Sequence, residues 1–181
     1  REKRPLTSKG QDLESAVEAA LTTLGFDVVN SDERQEARGA AKREDLEVKI
    51  HGKADWVALV EVKGYETRSA RTSDIGQLQK AAGFYARDNG QEPTALWYVV
   101  NANHSKTPDA RPIPLESSPD DVEVFAEDGG AVIDTRELFR MVRAVQAGTM
   151  TTTEAVAALA SARGIFSAQL PQPTSGATKQ G

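Results

Sequence analysis

The residues best suited to chemistry lie in Trp56–Gly64, WVALVEVKG, where Glu61 and Lys63 interrupt an apolar run. A valine-rich stretch ended by glycine predicts a strand buried on both faces. Alternate strand residues share a face, so Val57, Leu59, Glu61 and Lys63 point the same way. A carboxylate and an ammonium on a core strand cost free energy unless something specific compensates them. Two arrangements would do so: an internal salt bridge, or a Glu-x-Lys site that holds a metal cation and acts on phosphate.

A second carboxylate comes from the preceding segment. Glu44–Ile50 (EDLEVKI) predicts a strand and His51–Asp55 its turn. A turn centred on Lys53 pairs Ile50 with Trp56 and Asp45 with Glu61. Directly opposed Cβ atoms in an antiparallel pair lie about 4.5–5.5 Å apart, so Asp45 and Glu61 could share one cation. Asp55 shares the Glu61 face but lies roughly 20 Å away along the strand, which makes it a turn residue. Glu47-Val48-Lys49 repeats the tripeptide in a shorter, more polar strand with no obvious acidic partner, so Glu61 and Lys63 are preferred.

Around these strands the pattern alternates. Leu13, Val17, Ala20, Leu21 and Leu24 give a helix from Gln11, ended by Gly25. Glu14 and Glu18 flank its stripe, and Glu18 reads as a solvated flank residue. Phe26–Asn30 is a short strand, and residues 31–43 form a charged surface loop or short exposed helix. Ser73–Asn89 predicts a helix capped by Ser73 or Asp74 and closed by Gly90. Its Gly76 and Gly83 are costly in a helix, and close packing on the sheet would account for them. Thr94–Asn101 is a further strand, which implies a right-handed parallel crossover. A proline-rich connection over 102–121 follows, with Asn101 and Arg111 either near a phosphate or simply part of the loop's polarity. Val122–Ala126 and Ala131–Ile133 predict short edge strands. Asp134 caps a helix with Glu137 at the capping-box position, and Thr151–Thr153 start another through Ala162.

Composition narrows the class. The 181 residues include no cysteine, which removes zinc ribbons, disulfide frameworks and thiol catalysis and suits a reducing, cytoplasmic setting. No apolar run approaches the roughly 18 residues of a membrane span. A net charge of −5 argues against a simple basic coat for nucleic acid. Basic residues nevertheless bracket the candidate site at Arg38, Lys42, Arg43, Arg68, Arg71 and Lys80. A start at Arg1 rather than methionine reads as an excised domain. The expected organisation is a lead-in over 1–10, a core over 11–133, a helical extension over 134–166 and a disordered tail over 167–181.

Taken together, LESAVEAALTTLGFDV, EDLEV, VALVEVKG and DIGQLQK resemble the PD-(D/E)XK nuclease superfamily across about residues 11–101. Glu44 stands where the family name has proline, and nothing after residue 120 matches a catalytic motif. The resemblance implies an α/β, restriction-endonuclease-like fold: a mixed β-sheet core with flanking helices, here followed by a C-terminal helical pair. It implies a metal-dependent DNA endonuclease using Mg²⁺, with Mn²⁺ as a substitute. Asp45, Glu61 and the main-chain carbonyl of Val62 would hold the metal, and Glu14 would complete or water-bridge its shell. Lys63 would orient the attacking water or stabilise phosphate charge, and Gln77 matches a supporting glutamine. DNA is the expected partner, with a homodimer or a larger multidomain protein as the assembly. The alternative is an inactive nuclease-fold domain that binds nucleic acid or serves assembly.

Overall fold

The computed structural model describes residues 10–31 and 44–170. The expectations for 1–9, 32–43 and 171–181, including Arg38, Lys42 and Arg43, lie outside the described residues. The elements are α1 (Gln11–Thr23), β1 (Phe26–Asn30), β2 (Leu46–Ile50), β3 (Lys53–Tyr65), α2 (Thr72–Asn89) and β4 (Ala95–Ala102). Then come α3 (Pro119–Glu127), β5 (Gly130–Asp134), α4 (Thr135–Gln146), α5 (Thr152–Ala160) and β6 (Gly164–Ile165). The six strands lie side by side in sequence order. β1, β2 and β3 pair antiparallel, while β3 to β6 pair parallel, so the two pairing modes meet on β3.

Period-two alternation sorts the side chains onto two faces. Ala58, Val60 and Val62 join Trp97, Val99, Ala131 and Ile133 under α1, α4 and α5. Val57 and Leu59 join Leu96, Tyr98 and Val100 under α2 and α3, where Ile75, Leu78 and Phe125 close the layer. Leu138, Met141, Ala155 and Leu159 belong to the same cluster as Leu13 and Val17, so residues 134–166 help to form the core.

Several elements depart from the sequence reading. Residues Val122–Ala126 are helical rather than a strand. Pro119 opens α3, Asp120 and Asp121 follow in its first turn, and Val122 and Phe125 bury one side. Ala131–Ile133 is an internal strand, flanked by β4 and by β6, a two-residue element that no periodicity reveals. Gly130 lets α3 lie close on β5, since a Cβ there would come within 2.4 Å of the Phe125 ring. Asp134 caps α4 by accepting from the Arg136 N–H. Glu137 forms no capping box there; it pairs with Arg140 and accepts from the Ala168 N–H. The chain therefore stays on the body past Ser167, with Ala168 buried and Leu170 packed on the core.

The α2 glycines answer differently from expectation. A Cβ at Gly76 or Gly83 would meet nothing within 4 Å, so neither permits a close approach to the sheet. Gly76→Ala and Gly83→Ala should each stabilise the protein by about 0.5–1 kcal/mol, because both relieve helix-interior backbone entropy. Urea melts followed by tryptophan fluorescence will measure this; a loss of stability in either variant contradicts the open face.

Candidate active site

The hairpin between β2 and β3 sets the site. Leu46 pairs with Val60 and Lys49 with Val57, and the register then shifts so that Ile50 faces Lys53. Ile50 therefore does not face Trp56. The turn is His51-Gly52, with Gly52 at φ 77°, and Asp55 is a strand residue. The shift lies at the far end of the hairpin; near the site Leu46 pairs with Val60 as expected, but β2 begins there and the Asp45 N–H reaches Val60 rather than Glu61. The Asp45 N–H donates to the Val60 carbonyl at 3.0 Å, and the Asp45 carbonyl accepts from the Ser31 N–H at 3.0 Å. Asp45 Oδ2 accepts from the Val62 N–H at 2.6 Å. Both main-chain groups of a strand residue leave on the same side, so the Val62 carbonyl faces the same edge as the Asp45 carboxylate.

Burial is nearly complete, with Asp45 3% and Glu61 5% exposed. Glu61 Oε1 is ion-paired with Lys63 Nζ. Burial raises the Glu61 pKa, and the Asp45 charge raises it further; Lys63 offsets part of this and Asp74 adds to it. For Lys63, burial acts to lower the pKa, but the bond and charge of Glu61, with Asp45 and Asp74 behind it, raise it overall. One ammonium thus sits in the field of three buried carboxylates.

Asp74 is the residue that sequence reasoning missed. It lies in the first turn of α2, 4% exposed, and its Oδ2 accepts from Tyr65 Oη at 2.5 Å and Tyr98 Oη at 2.8 Å. Burial and the Asp74 bond raise the Tyr65 pKa to about 12, and the same causes raise Tyr98. A helix acid flanked by hydroxyls from two adjacent strands leaves no spacing signal in sequence. Glu47 is the other miss. It is 1% exposed and paired with Lys49 at 3.1 Å. It lies opposite Leu59, diagonal to Glu61 on the same face, so its polar strand is more buried than expected.

The other two expected members sit on helices. Gln77 is exposed on α2 while Ile75 and Leu78 face the sheet, so the helix turns it outward. Glu14 is half-buried on α1, which covers the face opposite to Glu61. Among the described residues no group of three or more acidic or histidine side chains is arranged to hold a metal. Asn101 and Arg111 form a structural clasp instead. Arg111 donates to Asn101 Oδ1 at 2.9 Å and to the carbonyls of His104 and Lys106, at 3.2 and 3.0 Å.

The Glu61 shift predicts a pH effect. Its folded pKa lies above the unfolded value, so the charged side chain destabilises the metal-free fold at neutral pH. As pH falls through the folded pKa, the folded protein binds the proton first and this penalty is relieved. Glu61→Gln should melt higher than the parent at pH 7 without metal, and the gap should shrink as the pH is lowered toward the ordinary carboxylate range. A gap independent of pH contradicts the shift.

No helix among the described residues is long and apolar enough to cross a membrane. No protein-family model matches the chain, and no curated protein matches it. A solved structure does: that of the restriction endonuclease FokI, at 15% identity and a TM-score of 0.53. The match covers 87% of this chain and spans 28% of the FokI chain. The six-stranded mixed sheet with helices on both faces is thus a restriction-endonuclease-like fold.

Proposed function

We propose that this domain hydrolyses phosphodiester bonds in DNA with a divalent cation, Mg²⁺ or Mn²⁺. The observation that carries the reading is the charge imbalance: Asp45 and Glu61 are buried together and Lys63 is the cation paired with Glu61. Mg²⁺ is commonly held by one or two carboxylates with water and phosphate completing its shell. Asp45, Glu61 and the Val62 carbonyl would hold it here, with Glu14 completing or water-bridging the shell. A cation bound there would lower the pKa of its water and offset charge on the phosphate. Lys63, freed from Glu61 by that cation, would place its ammonium where negative charge develops. Gln77 has no part in this set, and the likeness to FokI supports the nuclease reading through the fold.

The test is cleavage of plasmid and linear DNA by purified protein with Mg²⁺ or Mn²⁺, stopped by EDTA. Cleavage that persists in chelator removes the metal from the mechanism. The Glu61–Lys63 ion pair favours a second reading, an inactive nuclease fold that binds nucleic acid or serves assembly. That reading expects salt-dependent DNA binding without cleavage under any divalent cation.

A further inference from the structure

The outer side of α2 joins positive charge to an aromatic ring. Helix residues three or four apart are surface neighbours, so Lys80, Phe84 and Arg87 meet there. Lys80 Nζ lies 5.9 Å and the Arg87 guanidinium carbon 5.1 Å from the centre of the Phe84 ring. One partly exposed ring therefore carries two cations. Gly76 and Gly83 are exposed beside them, and a Cβ at either would meet nothing within 4 Å. Ser73 and Gln77 lie on the same side, and none of these residues is acidic in a chain of net charge −5. Asp88 stands at the margin, where it accepts from Arg87 Nε at 3.1 Å.

The helix brings this side close to the candidate centre. Its inner residues Ile75 and Leu78 pack with Val57 and Leu59, on the sheet face that carries Glu61. Its start adjoins the strand end just past Lys63: Asp74 accepts from Tyr65 Oη, and the Arg71 N–H donates to Tyr98 Oη at 3.4 Å. Measured along the axis from Asp74, Lys80 is about 9 Å away and Arg87 about 20 Å. The charged ring thus lies on a track that begins beside the centre and leads away from it.

Two cations held over one ring repel each other, and an anion between them relieves the repulsion. The ring adds a flat apolar surface on which a nucleobase can stack. Basic tracks set with aromatic rings hold unpaired strands without sequence preference. A duplex keeps its bases stacked inside and would leave the ring unused. A twofold contact with a second copy of this chain would set the two pairs of cations against each other.

We infer that the Lys80–Phe84–Arg87 side of α2 binds an unpaired nucleic-acid strand, with phosphate at the cations and a base against the ring. That this is the strand cut at the Asp45–Glu61 centre rests on the proposed nuclease function; binding on α2 does not.

The experiment measures binding of a fluorescein-labelled oligothymidylate of about twelve nucleotides to the whole chain in EDTA, by anisotropy at several salt concentrations. Saturable binding is expected. Lys80→Ala and Arg87→Ala should each weaken it about three- to tenfold at low salt and flatten its salt dependence. Phe84→Leu keeps apolar bulk but removes the stacking face, and should weaken binding about fivefold with the salt dependence unchanged. Gly83→Glu places an acid beside both cations in open space and should weaken binding without loss of fold. Arg140→Ala, on α4 across the sheet, should leave the affinity as it is. Absence of saturable binding, parental affinity in Lys80→Ala or Phe84→Leu, or an equal loss in Arg140→Ala overturns the proposal. Equal competition by a duplex of the same length overturns the unpaired strand. A dimer in sedimentation that Lys80→Glu disperses gives the face to a second copy instead. Because binding is measured without metal, a strand bound on α2 but never cleaved with Mg²⁺ or Mn²⁺ would count against the nuclease reading and leave this site standing.

Discussion

Asp45→Ala and Glu61→Ala should each lower DNA cleavage by at least about 10³-fold, and Lys63→Ala by about 10²–10³-fold with metal binding retained. The first two remove an anionic ligand; the third removes charge aimed at the transition state. Melting curves separate this from a merely structural ion pair. In the metal site, Asp45→Asn relieves repulsion of Glu61 while keeping an oxygen for the Val62 N–H and should not lower the metal-free melting point, while Mg²⁺ should raise that of the parent. Lys63→Ala should melt lower without metal, because Glu61 then faces Asp45 uncompensated, and should gain more from Mg²⁺ than the parent does. In a structural pair, Glu61→Ala leaves Lys63 without its buried partner and costs about 3–5 kcal/mol. A large metal-free loss in Glu61→Ala, with a parent indifferent to Mg²⁺, rejects the nuclease assignment.

The second large effect concerns the clasp on the proline-rich segment. Arg111→Ala should destabilise the protein by about 3 kcal/mol, since three acceptors lose charge-assisted donors in a buried setting. Arg136 grips the same segment through the carbonyls of Pro108, Arg111 and Pro112. Arg111→Lys should recover little, because an ammonium cannot reproduce the planar fork that reaches all three. Chemical denaturation measures the loss, and a cost below about 1 kcal/mol contradicts the clasp.

The legible part of the molecule was local. WVALVEVKG read as a central strand because its apolar run is long, and hairpin offset gave the Leu46–Val60 register that brings the Asp45 charge near Glu61. The same reasoning misplaced Ile50, since a register shift has no residue signature here. VEVFA alternates like a strand, yet Pro119 and the acids behind it start a helix, and Phe125 needs Gly130 to seat it. The burial of Asp74 and of Glu47 stayed hidden because their surroundings come from other elements: tyrosines of β3 and β4 for one, the pairing with Leu59 of β3 for the other. Arg111, in a loop rich in proline, gave no sign of being buried.

The bond from the Ala168 N–H to Glu137 also governs how the domain can be joined to anything else. Through it the chain is anchored to α4, and Leu170 rests on the layer that holds α1, on the far side of the sheet from Glu61. β6 stands three strands from β3, about 14 Å across the sheet. A tether attached after Leu170 therefore starts on the face of the sheet opposite Glu61. It leaves the approach to Asp45 and Lys63 clear, and cargo placed there would need a long linker to reach the strand held at the site.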